Sequence, residues 1–198
     1  NITAIGTNAL MANTSGANGV AVGHNALKTN TTGADNTATG REALKLNTTG
    51  HSNSAFGKGA LTANTTGPNN TAMGFNALAA NTTADKQTAI GYQALKASTT
   101  GTNNTAVGAN ALSTNTTGAH NAAIGRDSML SNTTGYSNIA MGRDSLAACT
   151  TGFDNVALGR EAGAAITTAE GNTLVGYQAG NSIATGGGKT CFGNKAGK

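Results

Sequence analysis

Asn104-Thr105-Ala106-Val107-Gly108-Ala109-Asn110-Ala111-Leu112-Ser113-Thr114-Asn115-Thr116-Thr117-Gly118-Ala119-His120 is one complete unit of a pattern that runs through the entire chain. The Gly that closes its Ala-apolar-Gly segment recurs at Gly6, Gly23, Gly40, Gly57, Gly74, Gly91, Gly108, Gly125, Gly142, Gly159, Gly176 and Gly193. Every interval is 17 residues, with no insertion or deletion. Equal length has a physical meaning. In a solenoid each residue stacks on its counterpart one turn away, so a single extra residue would throw every column out of register. The pattern therefore predicts an all-β parallel β-solenoid, a β-roll of twelve 17-residue turns. Asn-Thr-Ala-(Ile/Val)-Gly reads as a short strand and Thr-Thr-Gly as a turn. Ala-Leu and its neighbours read as a second strand, which would give a flat two-stranded coil.

Other repeat architectures fit poorly. Thr, Asn and Gly are weak helix formers and heptads are absent, which disfavours a coiled coil or helical array. A triangular solenoid of hexapeptides would need 18 residues per turn and an apolar residue every sixth position, and neither is present. Composition alone points towards a poorly folding chain. Of 198 residues only 10% are charged and 4% aromatic, with no Trp, so little large apolar surface exists to offset chain ordering. The unbroken repeat reverses that expectation, because stacked turns stabilise one another and one turn alone cannot fold.

Read by column, the residue before each repeating Gly is large and apolar in eleven turns of twelve, Thr39 being the exception. Ile5, Val22, Phe56, Ile90, Val107, Ile124 and Leu158 are accordingly expected in the core. The residue before that is Ala from Ala4 to Ala157, then Leu174 and Cys191. Successive strand residues point to opposite faces, so the strand has a large-apolar face and a small-apolar face. A thin coil has one interior, and the Ala face would then be hidden against another copy, most simply in a three-fold assembly. A Leu column that includes Leu27, Leu61, Leu95 and Leu112 completes the expected core. It becomes Gly163, Gly180 and Gly197 in the last turns, where Ile166 and Ile183 arrive three residues later. This reads as core volume moved within the coil. It divides a single domain, 1–198, into a regular class (1–160) and a variant class (161–198). Gly6, Gly23, Gly91, Gly108 and Gly125 represent structural turn positions that a Cβ would forbid. Asn36 and its counterparts at 17-residue intervals are expected to stack their amides from turn to turn.

With the columns laid out, the motif Asn-x-Ala-(Ile/Val)-Gly-x-x-Ala resembles the head repeats of trimeric autotransporter adhesins. The fuller turn, as in Asn104–His120, looks still more like repeats in tail fibres of bacteriophages and related bacterial fibre proteins. The resemblance spans the whole chain. It implies a left-handed parallel β-roll and three rolls packed side by side, in a protein that is extracellular, on a cell surface or on a virion.

A catalytic centre is not expected, and no cofactor or metal is implied. His24, His51 and His120 lie at different columns or several turns apart, with no recurring Ser or Cys beside them. No spacing suits zinc, and the Asp-rich Gly repeats of calcium-binding rolls are missing. Gly186-Gly187-Gly188-Lys189 lacks the order of a phosphate loop. Cys149 and Cys191 stand two and a half turns apart, about 12 Å along the axis, beyond disulfide reach. The Asn-Thr-Thr and Asn-Thr-Ser triplets at Asn13, Asn30, Asn47, Asn64, Asn81, Asn115 and Asn132 match the glycosylation sequon. A glycan on every turn would be hopelessly crowded, so they read as turn residues. Arg126-Asp127, Arg143-Asp144 and Arg160-Glu161 recur on consecutive turns. Arg126, Arg143 and Arg160 are candidate surface contacts, with neighbouring acids or cross-chain pairs offsetting their mutual repulsion.

The net charge of +4 is spread along the chain, unlike the clustered footprint of a nucleic-acid binder. No apolar run approaches the roughly 20 residues that cross a bilayer, so membrane insertion is not expected. The expected role is structural or adhesive: a rod-like shaft in a fibre, about 55–60 Å long, that projects or forms a surface for a host receptor or glycan. Its partner is itself, as a homotrimer or, alternatively, as subunits stacked end to end in a filament. A further alternative is ice or glycan recognition by Thr ladders such as Thr31-Thr32 and Thr48-Thr49.

Overall fold

The structure, a computed structural model, describes residues 1–197. It is a parallel β-solenoid with one short strand per repeat. The strands are β1 (Ile2–Ile5), β2 (Gly19–Val22), β3 (Thr37–Thr39), β4 (Ser54–Phe56), β5 (Thr71–Met73) and β6 (Thr88–Ile90). They continue as β7 (Thr105–Val107), β8 (Ala122–Ile124), β9 (Ile139–Met141), β10 (Val156–Leu158), β11 (Thr173–Val175) and β12 (Thr190–Phe192). All twelve form one sheet in chain order. Register is the 17-residue repeat itself: Ala4 lies beside Ala21, Ala89 beside Ala106, Ala140 beside Ala157.

The ladder continues beyond the strands, which is what lets so small a core hold. In the turn from Asn104 to His120, the N–H of Thr105 donates to Asn121 O (2.8 Å) and that of Leu112 to Ser128 O (3.0 Å). Gly108 and Asn110 point the other way, to Ile90 O and Tyr92 O, both at 2.8 Å. The N–H groups of Thr116 and Thr117 converge on Thr133 O at 2.9 and 3.2 Å.

The Ala-Leu segment is not the second strand that the pattern suggested. It is a tight turn in which the Leu column is left-handed, with φ of 48° at Leu27 and 51° at Leu112. Asn110 and Asn103 share that region at 55° and 57°. Asn and Asp tolerate it far better than most residues, which accounts for their recurrence on either side of the strand. A left-handed Leu costs roughly 1–2 kcal/mol. Here that cost is met by inserting the side chain fully into the interior: Leu27, Leu61, Leu95 and Leu112 are completely buried.

The strand faces are reversed from the sequence expectation. The Ala column, from Ala21 through Ala157, points inward and is fully buried, together with the Ala or Ser that precedes the Leu column from Ala26 through Ser145. Ile5, Val22, Phe56, Ile90, Val107, Ile124 and Leu158 point outward. Phe56, Ile90 and Ile124 are 39%, 38% and 37% exposed, Ile5 in the first turn 60%, and the other three partly exposed. The physical reason is the width of the coil. Only one strand face can look inward, and the opposing Leu already fills the space in front of it. The last turns demonstrate the exclusion directly. Leu174 takes an Ala-column position, and there the facing positions are Gly163 and Gly180. A Cβ on Gly180 would lie 2.6 Å from a Leu174 methyl, and one on Gly163 2.8 Å. Leu fits in one column or the other, never both. Ile166, fully buried, and Ile183, packed against the core, supply the rest of the volume.

The repeating Gly is required twice over. Gly6, Gly23, Gly91, Gly108 and Gly125 have φ between 127° and 137°. A Cβ on Gly108 would stand 2.6 Å from the carbonyl of Gly125 one turn on.

Candidate functional site

Three surfaces could carry function, and the interior decides which residues each can use. Two amide ladders run through that interior. In the first, Asn47 donates Nδ2–H groups to Asn30 Oδ1 and to Gly50 O, both at 2.8 Å, and Asn64 repeats this one turn on. These are the sequon asparagines. From Asn30 to Asn132 they are buried, with both amide protons committed wherever the ladder is continuous, so these side chains are closed to glycan attachment in the folded chain. The second ladder is the one the sequence indicated. Asn36 Nδ2–H donates to Gly50 O, and its Oδ1 accepts the backbone N–H of Asn53. The buried first ladder escaped sequence reading because Asn-Thr-Thr also looks like an ordinary exposed turn.

The first ladder is interrupted at Ser98 and ends at Cys149, beyond which Ile166 and Ile183 take the Asn positions, and each change has a visible consequence. Ser98 and Cys149 occupy Asn positions but lack an amide to donate backward. The Oδ1 atoms immediately before them, on Asn81 and Asn132, are accordingly the buried side-chain oxygens left without a partner among the described residues. At Ser98 the second ladder compensates. Gln87 stands in place of Asn, and its longer side chain donates Nε2–H to Ser98 Oγ at 2.8 Å. Cys149 Sγ makes only a long contact of 3.8 Å with Gly152 O, and burial pushes its thiol pKa up to about 11. Cys149 and Cys191 are both free.

On the outside, the first surface is the outward strand face. It is a strip of the large-apolar column, interrupted at Thr39, beside a column mostly of Thr, Val and Ile. Met73 and Met141 are each 43% exposed on it, in company with Ile139. Among the described residues this face holds most of the exposed large apolar side chains.

The second surface is the column directly after the repeating Gly. It reads Lys58, Phe75, Tyr92, Ala109, Arg126, Arg143, Arg160 and Tyr177 over successive turns. Side chains in it stack along the axis. The rings of Phe75 and Tyr92 are 5.5 Å apart and nearly parallel, Lys58 Nζ sits 5.4 Å from the Phe75 ring, and the Arg160 guanidinium lies 4.3 Å from the Tyr177 ring. Arg126, Arg143 and Arg160 are each paired with the acid that follows. Nε lies 3.2 Å from Asp127, 3.1 Å from Asp144 and 3.6 Å from Glu161. Arg143 also reaches Glu161 at 3.3 Å. Glu161 is held below the usual carboxylate range, first by the Gln178 Nε2–H that donates to it at 2.6 Å, then by Arg160 and Arg143. The structure thus brings together all three arginines singled out from sequence. Phe75 and Tyr92 stand in the same column, while a second stacked pair, Tyr136 and Phe153 at 4.8 Å, stands in another; the signal that would have found both is the 17-residue spacing, read for rings as well as for charges.

The third surface is the Thr-Thr corner. Thr31 and Thr48 spend their hydroxyls inside the fold, donating to Thr48 O and Thr65 O at 3.0 Å. Thr32 and Thr49 are exposed. One free hydroxyl column remains where the sequence suggested two.

No family model matches the chain, and comparison with curated proteins and with solved structures returns no significant similarity.

Proposed function

We propose that the chain is a rod-like structural segment of an extracellular or virion fibre, in which three copies pack through their outward strand faces. The observation that carries this reading is the exposed strip of Phe56, Met73, Ile90, Ile124, Ile139 and Met141. A strip of large apolar side chains along a whole molecule marks an interaction surface. Its rungs repeat at the strand spacing of about 4.8 Å, over eleven steps and roughly 53 Å. A flat partner with matching rungs over that length is most simply another copy of the same coil. Left-handed winding and three-fold symmetry, implied by the resemblance to fibre and adhesin repeats, belong to this proposal. The small-residue Ala face, which the sequence first offered to the partner, is interior and takes no part. A homotrimer buries the strip of every copy around one axis and leaves the Arg and Thr columns outward, free to meet a receptor.

Light scattering on the purified chain tests the reading. A trimer is expected, and Ile90→Lys with Ile124→Lys should yield monomers that retain the β-sheet signal in circular dichroism. A wild-type chain that is monomeric at all concentrations would overturn the three-fold assembly.

A further inference from the structure

We propose that the gap between Tyr92 and Arg126, over Ala109, is a binding site for an acidic pyranose, a uronate unit of a polysaccharide. The site lies wholly within the column after the repeating Gly and needs no particular assembly state.

In that column neighbouring side chains fill one another's faces. Lys58 covers one face of Phe75 and Tyr92 the other, at 5.4 and 5.5 Å. Tyr92 is covered by Phe75 on one side only. On its other side the next rung is Ala109, whose methyl group cannot reach over the ring. Tyr92 is 52% exposed. The rung after that is Arg126. The stack Lys58–Phe75–Tyr92 therefore ends at Ala109, and beyond that rung begins the run Arg126–Arg143–Arg160, whose last member lies over Tyr177.

The dimensions of the gap admit one ring. Tyr92 and Arg126 are two turns apart, about 9.6 Å at the strand spacing. A ring placed midway would be about 4.8 Å from each, within the 4.3–5.5 Å at which this column already stacks. The free face of Tyr92 is open to water, so a saturated ring can pack its C–H face there while its hydroxyls stay hydrated.

Arg126 adds the charge selectivity. Arg143, one turn on, holds two carboxylates, Asp144 at 3.1 Å and Glu161 at 3.3 Å. This position in the turn therefore accommodates two acids at once. Arg126 has one, Asp127 at 3.2 Å, and among the described residues no second carboxylate pairs with it. Asn110, on the turn of Ala109, donates its Nδ2–H to Asp127 Oδ1 at 3.0 Å and so fixes that acid from the preceding turn. The Arg126 side chain is 57% exposed, which leaves room for the carboxylate of a ligand, and planar two-point recognition of a carboxylate is what a guanidinium does best.

Saturation-transfer NMR and tyrosine fluorescence on the full chain, titrated with a galacturonate oligosaccharide and with a neutral galactose oligosaccharide of equal length, test the site. Saturable binding of the acidic probe is expected. Ala109→Phe supplies the missing ring from the protein itself and should weaken binding at least about tenfold, a difference of roughly 1.4 kcal/mol, with circular dichroism unchanged. Arg126→Gln should erase the preference for the acidic over the neutral probe. No saturable binding of the acidic probe, or Ala109→Phe binding as tightly as wild type, would overturn the proposal. Light scattering on the same samples records the assembly, so a failed site and a failed trimer are told apart.

Discussion

Gln87 and Ser98 offer the sharpest test of the interior, because each is explicable only through the other. In an ordinary turn two amides meet one carbonyl: Gly50 O accepts Asn47 Nδ2–H and Asn36 Nδ2–H, both at 2.8 Å. At the corresponding Gly101 O, Ser98 has no amide to offer and Gln87 directs its own to Ser98 Oγ. Asn81 Oδ1 is orphaned as well. Replacing Ser98→Asn alone puts an amide where the Gln87 side chain already lies and removes its acceptor. Replacing Gln87→Asn alone strands the Ser98 hydroxyl and leaves a gap. Each single change should cost about 1 kcal/mol. The double variant restores both ladders, satisfying Asn81 Oδ1 and giving Gly101 O its two donors, at the loss of one Gln–Ser bond. It should be more stable than wild type by about 1 kcal/mol, a coupling of about 3 kcal/mol. Because solenoid stability is a sum of local terms, native-state hydrogen exchange is the assay. The amides of Ser98 and Thr99, which donate to Leu95 O (3.1 Å) and Thr116 O (3.0 Å), report on this turn. Effects that add to within about 0.5 kcal/mol would show that the two substitutions are independent and that the ladders do not couple these residues.

Gly125→Ala should unfold the turns around it or cost at least about 3 kcal/mol, since a Cβ would stand 2.6 Å from Gly142 backbone atoms at a φ of 135°; a midpoint in urea unchanged from wild type would contradict this. Gly163→Leu should destabilise the chain by about 1–3 kcal/mol through overpacking against Leu174 and Leu146, and Leu174→Ala should recover part of the loss in thermal unfolding. Cys149, buried with its pKa raised from 9.0 to about 11, should resist alkylation in the native chain and react once unfolded. Between those two pH values the folded chain keeps a proton that the unfolded chain has lost, so stability should fall with rising pH by no more than about 2–3 kcal/mol. Cys149→Ser should flatten that alkaline slope in urea titrations, and an unaltered slope would place its origin elsewhere.

The fold itself was written in the spacing. Twelve glycines at one interval require stacking in register, and parallel pairing of every strand with its neighbour follows from that requirement alone. The exchange of Leu for Gly with Ile166 and Ile183 three residues on was likewise readable as displaced core volume. What spacing could not decide was direction. Alternation says that Ala106 and Val107 face opposite ways, but not which of them faces in. A rule that larger apolar residues go inside selects Val107. The structure selects Ala106, because Leu112, held left-handed on the opposite wall, already fills the coil, and a Leu at both positions would collide as Gly180 and Leu174 show. The identity of the surface followed from that choice. With the small residues inside, the large ones form the exposed strip, and the column of Tyr92, Ala109 and Arg126 acquires its order along an axis. Covalent sequence carries the period and the pairing. Which side of a strand is dry depends on the volume that the rest of the turn brings to meet it, and that quantity exists only once the chain has closed on itself.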